Sequence, residues 1–188
     1  MFLAVHLWIS SPAHAEEADE FDHKVTHALE TLYETTPGAK LLGDKAKGIM
    51  VFPKMVKLGV LAGAQVGDGA LLQDGKFTGY YRSVGASFGF QMGLQAFDYV
   101  LMFMDDKSLD YLNRSRGWEL GSGPGVVVLN KGIAGSATTT TLRKGVYAFI
   151  FDQQGAMAGI ELQGTKISRL KSKPKPWPSR RDDRLDDD

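Results

Sequence analysis

The chain has 188 residues, 22 Lys and Arg balanced by 22 Asp and Glu, no Cys, and 43% hydrophobic residues. Zero net charge removes bulk electrostatics as the selector of a partner, so attraction to phosphate has to come from local clusters. The absence of Cys excludes disulfides, thiolate metal sites, Cys nucleophiles and an acylated N-terminal Cys. The longest apolar runs, such as Tyr99 to Met104 and Val146 to Phe151, fall far short of the ~20 residues of a spanning helix.

Residues 1–15 read as a cleavable export signal. Phe2 to Ile9 is apolar apart from His6, Ser10-Ser11-Pro12 breaks a helix, and Ala13-His14-Ala15 has the small-x-small form of a processing site. That segment predicts a periplasmic or cell-envelope protein. From Glu16 to Thr36 the spacing of Phe21, Val25, Ala28, Leu29 and Leu32 predicts an amphipathic helix. Its polar face is acidic, which directs the apolar stripe to the domain's own sheet and away from an anionic bilayer. Pro37 then breaks the helix, with Thr36 a candidate N-cap for a short helix through Leu41-Leu42.

Glycine dominates the next region, with 21 of the 22 lying between Gly43 and Gly164. Between them the pattern predicts strands at Ile49 to Phe52, Leu58 to Val66, Phe77 to Arg82, Ser87 to Phe97, Tyr99 to Met104, Val126 to Leu129, Val146 to Phe151 and Met157 to Leu162. Asp74-Gly75 is a strong hairpin dipeptide, and Asp68-Gly69 and Gln154-Gly155 are further turn candidates. One short helix is expected to start at Asp105-Asp106, bury Leu109 and Leu112, and stop by Gly117. The fold class is therefore α+β: a single domain over 37–170 of mainly antiparallel, Gly-rich, curved sheet, joined in meander fashion.

Two segments alternate strictly. Phe88, Phe90, Met92, Leu94 and Ala96 point one way, with Ser87, Gly89, Gln91, Gly93 and Gln95 opposite; Leu58 to Val66 sets apolar residues against Gly59 and Gly63, continuing to Gly67. Regular glycine on one sheet face implies tight curvature, or close approach of another backbone or a ligand.

Catalytic patterns fail on inspection. Gly85-Ala86-Ser87-Phe88-Gly89 has the form of a nucleophile elbow, but all four histidines lie upstream and Ser87 is mid-strand. Gly69 to Lys76 has the wrong spacing for a phosphate loop, and Phe77 stands where Ser or Thr would be needed. His23 and His27, four apart, form half a metal site with no third ligand fixed by spacing. No catalytic residue, metal or cofactor is assigned.

The C-terminal segment, 171–188, is basic and Pro-rich and then acidic. Lys166, Arg169, Lys171, Lys173, Lys175, Arg180 and Arg181 precede the run of Asp, with Trp177 between two prolines. Near an anionic bilayer each cation contributes about 1 kcal/mol, and Trp suits the interface. Export would remove nucleic acid as a partner.

Ala46-Lys47-Gly48-Ile49-Met50-Val51-Phe52-Pro53, the stretch from Gly79-Tyr80-Tyr81 to Met104, Gly117-Trp118-Glu119, Thr138 to Leu142, and the run from Tyr147-Ala148-Phe149 to Lys166-Ile167-Ser168-Arg169-Leu170 together resemble the SYLF domain family. The resemblance implies a non-enzymatic protein that binds phospholipid peripherally. It nominates Lys54, Lys57, Lys166 and Arg169 as holders of a lipid phosphate, while the tail's own charge and Trp offer Lys171, Lys173, Lys175 and Trp177 as further contacts. Actin, a partner of eukaryotic relatives, is not expected for an exported chain. The alternative is an envelope binding module whose glycine-lined sheet face takes a small apolar ligand or a protein partner.

Overall fold

The computed structural model describes residues 12–36, 38–114, 118–119, 125–129, 145–155 and 165–174. The expected export segment up to Ser11, the strand at Met157 to Leu162, the Thr138 to Leu142 motif, Lys175 and Trp177 lie outside them.

Helix α1 runs Pro12–Thr35. It begins before the expected Glu16, at a proline, which suits a first helical turn because its missing N–H has no helical partner there anyway. The apolar stripe falls as its spacing requires: Phe21, Val25, Ala28 and Leu32 are buried. After Pro37 comes one short turn of helix, α2 (Ala39–Gly43), whose cap is Gly38 in the left-handed region at φ 88° and not Thr36.

Two very long strands follow, β1 (Gly48–Gln73) and β2 (Lys76–Phe103). They form one antiparallel hairpin across Asp74-Gly75, both residues at positive φ as a tight hairpin turn requires. The expected pair of strands at Ile49 to Phe52 and Leu58 to Val66 is thus one strand, and the three expected between Phe77 and Met104 are one. Pro53 does not end β1 because it sits in a bulge, between the pairs Phe52↔Tyr99 and Met55↔Phe97, where no ladder donor is needed. Asp68-Gly69 is not a turn: Asp68 pairs with Arg82 within the ladder.

Helix α3 (Asp106–Arg114) begins where Asp105 accepts the Ser108 backbone N–H at 2.8 Å, as expected of a capping carboxylate. Four short strands complete the sheet: β3 (Trp118–Glu119), β4 (Val126–Leu129), β5 (Val146–Gly155) and β6 (Thr165–Arg169). The order is β3-β6-β2-β5-β4, with β1 also on β2. This is not a meander. β1 occupies one edge of β2, while β6 takes its Tyr81–Gly85 stretch and β5 its Gln95–Phe103 stretch on the other. All pairings are antiparallel except β4 with β5.

The sheet curls until β1 meets itself. A Cβ on Gly69 would lie 2.5 Å from the Val51 carbonyl oxygen, and one on Gly67 would lie 2.8 Å from that of Lys54. The expectation of a close backbone approach therefore holds at Gly67; Gly69, expected in a turn, is approached in the same way, and in both cases the approaching backbone is the first part of the same strand. Two apolar layers result. The inner face holds Met50, Phe52, Met55, Leu71, Tyr81, Phe97, Tyr99, Leu101, Phe103, Val146, Ala148 and Ile167, closed by Leu109 and Leu112 of α3. The outer layer packs α1 and α2 on Val51, Ala70, Val100, Met102, Tyr147, Phe149 and Phe151. Each such buried side chain stabilises by about 1.5–3 kcal/mol.

Candidate functional site

The sheet changes character along the hairpin. Where α1 covers it, both faces are apolar. Beyond Met55 and Phe97 the inner face becomes polar: Lys57, Gln65, Ser83, Gln95 and Thr165 are all buried. Gln65 donates to the Thr165 hydroxyl at 3.0 Å. The remaining Gln65 oxygen, the Ser83 hydroxyl and the Tyr99 hydroxyl find no hydrogen-bond partner among the described residues. Full burial also pushes the Tyr99 phenol far above its ordinary pKa, so it stays neutral.

The outer face of the same stretch does the opposite. Leu58 (63% exposed) pairs with Leu94 (56%), and Val66 (38%) pairs with Val84 (48%). Ala64 and Ala86, paired between them, are exposed as well. A sheet with one solvated face ordinarily points its apolar residues inward. Here they point outward.

The nominated cations scatter across this frame. Lys54 is exposed, whereas Lys57 is wholly buried on the inner face. The bulge at Pro53 decides between them: Phe52 faces inward and so does Met55, so alternation changes parity and sends Lys57 in. Lys166 is exposed on β6, opposite Val84 on one side and Glu119 on the other. Arg169, also exposed, donates to the Thr78 carbonyl at 3.1 Å with its guanidinium 6.0 Å from the Tyr81 ring centre. Lys171 is exposed. Lys173 is turned back onto the body, donating to Asp22 of α1 at 2.7 Å and standing 5.5 Å from the Tyr80 ring centre. The structure thus brings Lys54 and Lys166 to the outer surface beside apolar residues and removes Lys57 and Lys173 from easy reach.

Residue-type spacing missed the outward-facing Leu58, Leu94, Val66 and Val84. Their alternation was visible, but which side faces in is settled by the fold-over, a long-range contact. Among the described residues no group of His, Asp or Glu is arranged to hold a metal, and no helix is long and apolar enough to cross a membrane.

Residues 84–174 match the model of the family described as Ysc84, Las17-binding protein actin regulator. That stretch takes in most of β2, then β5 and β6, and the cations from Lys166 to Lys173. The chain is also 29% identical over 141 residues to Beta cell expansion factor A of Aeromonas veronii, covering 74% of this chain and 52% of that protein. It therefore spans about half the length of this curated relative. The motifs from Val84 to Leu170 fall within the matched region, so residues 84–174 are similar to the SYLF (Ysc84) family.

Proposed function

We propose that this protein binds phospholipid at a membrane surface, peripherally and without catalysis, after export to the cell envelope. SYLF domains are in general lipid-binding and non-enzymatic, and that similarity supports phospholipid as the class of ligand. The observation that carries the reading to this chain is the outer surface of the long hairpin, where exposed Lys54 and Lys166 flank side chains that water does not favour. Cations of this kind meet lipid phosphates, Lys as a point charge and Arg169 by its fork. At about 1 kcal/mol per basic residue near an anionic surface, Lys54, Lys166, Arg169 and Lys171 together supply a few kcal/mol, enough for reversible attachment.

Co-sedimentation of the full chain with phosphatidylcholine vesicles, with and without phosphatidylglycerol, tests this over a salt series. Binding that strengthens with phosphatidylglycerol and weakens about fivefold in each of Lys54→Ala and Arg169→Ala is expected. A chain that ignores vesicles of every composition ends the proposal.

A further inference from the structure

The hairpin's outer band has a distinctive composition. From Lys54 to Gly67 and from Ser83 to Phe97 the sequence contains no carboxylate at all. Within those two stretches, cross-strand neighbours Leu58 and Leu94, then Ala64 and Ala86, then Val66 and Val84, are exposed. Large apolar side chains exposed on paired strands mark an interaction site. These side chains have no place to retreat to, because the inner face behind them is filled by Lys57, Gln65, Ser83 and Gln95. A slip of one residue in register would bury the apolar row and expose the polar one, but Gly67 and Gly69 lock the register by fitting against Lys54 and Val51. The inverted pattern, polar within and apolar without, is that of strands that face lipid.

The rims of the band also have a consistent charge. Lys54 stands exposed at one end. At the other, Arg82 is neutralised by a two-pronged pair with Asp68 at 2.6 and 2.8 Å, and Lys166 lies beside Val84. The two stretches of the band carry no carboxylate and Asp68 beside them is paired with Arg82, and an apolar centre with cations at its edges complements a bilayer interface: headgroups at the rim, acyl chains beneath.

We infer that the convex outer band of the hairpin, with Leu58, Leu94, Val66 and Val84 at its centre, seats among the acyl chains at the surface of a phospholipid bilayer while Lys54 meets the headgroups. This deepens the phospholipid reading and rests on it, but it changes the leading force. Charge steers the chain to the surface; apolar burial holds it there, and that part of the binding resists salt.

The test uses the full chain with phosphatidylcholine and phosphatidylglycerol vesicles at low and high salt. The double variant Leu58→Ser/Leu94→Ser is expected to lose roughly a hundredfold in vesicle affinity, about tenfold per side chain, and to lose the salt-resistant fraction altogether. Leu94→Trp, at an exposed position, is expected to bind at least as tightly as wild type, with a blue shift of its fluorescence, relative to wild type, on adding vesicles. Both positions are exposed, and circular dichroism checks that each variant is folded. If the double variant binds as tightly as wild type at high salt, or if the emission contributed by the Leu94→Trp substitution stays unchanged on binding, the band is not the contact, although phospholipid binding itself stands. Binding that vanishes at high salt in the wild type also overturns the inference and leaves attachment to the cations. A wild-type dimer that the double variant abolishes, with vesicle binding intact, reassigns the band to self-association and overturns it too. Failure of the wild-type chain to bind any vesicle would instead remove the broader phospholipid reading.

Discussion

The open end of the β1–β2 hairpin and its middle solve the same problem in opposite ways. At the open end, Val51, Val100 and Met102 point outward and are covered by α1, while Met50, Phe52, Tyr99 and Leu101 fill the inside. Around Leu58, Leu94, Val66 and Val84 the outward row is just as apolar, yet it lies bare, and polar side chains take the inside. A strand that is apolar on both faces belongs between two layers, so the first region is built for stability. The second forgoes that stability and keeps the apolar surface available.

Substitution of one leucine in each region should separate the two most sharply. Leu32→Ala in α1 removes a side chain with no exposed surface and is expected to cost about 3 kcal/mol, read as a lower denaturant midpoint at unchanged slope. Leu94→Ala should stay within about 0.5 kcal/mol of wild type. A large loss at Leu94 would mean that the band is internal to the fold and would dissolve the contrast.

Slightly smaller is the effect expected at the seam that joins the two regions. Gly69→Ala puts a methyl 2.5 Å from the Val51 carbonyl oxygen, and backbone cannot yield as a side chain can. A loss of about 2–3 kcal/mol in chemical denaturation is expected. Gly79→Ala, which meets only the ring of Tyr81 and the guanidinium of Arg169 at 3.1 to 3.4 Å, should cost less than half as much. Equal effects at the two glycines would show that the fold-over of β1 is loose.

The helix stripe, the Asp74-Gly75 turn and the Asp105 cap were legible in the sequence because each depends on residues within one or two turns of the chain. Strand lengths were not. Pro53 and the glycines look like breaks, but bulges absorb them, and nothing local distinguishes a bulge from an end. The same limit decided the candidate site. Lys54 and Lys57 are equivalent as residues three apart, and only the parity change at the Pro53 bulge exposes one and buries the other. The glycine face was readable as a surface that something approaches closely. That the visitor is β1 itself was not, since a contact between Val51 and Gly69 leaves no periodic trace.

A pH-dependent contrast lies along the border between the two regions. Asp98 sits at the Pro53 bulge on β2, and burial, helped by the charge of Asp152, pushes its carboxyl up to about 6, with His27 of α1 partly offsetting. An acid whose folded pKa is raised binds more protons folded than unfolded between about 4 and 6, so stability falls as pH rises through that window and stays low above it. Asp98→Asn, neutral throughout, should therefore gain about 1–2 kcal/mol at pH ~7.5 and lose this advantage toward pH ~4. Thermal melts at the two pH values decide it. An equal gain at both would assign the effect to packing and not to charge.

The smallest expected effect concerns how α1 is held over the covered end. After β6 the chain returns along the hairpin, where the Leu170 N–H donates to the Tyr80 carbonyl at 2.8 Å, and Lys173 then reaches Asp22 of α1. Tyr80 joins the same group by donating its hydroxyl to Asp22 at 3.1 Å and packing edge-on against Phe21 at 6.0 Å. Both charges of the ion pair are only 22% exposed, so the pair is better shielded than a surface bridge, though an isolated pair of this kind contributes about 1 kcal/mol at most. Lys173→Ala should cost about that much, and Asp22→Asn a similar amount. In a double-mutant cycle the two losses should overlap and not add, because the partners touch. Additive losses would mean that Lys173 and Asp22 act on separate neighbours. The C-terminal segment would then not fasten α1, and the covered end would owe its cover to the apolar stripe alone.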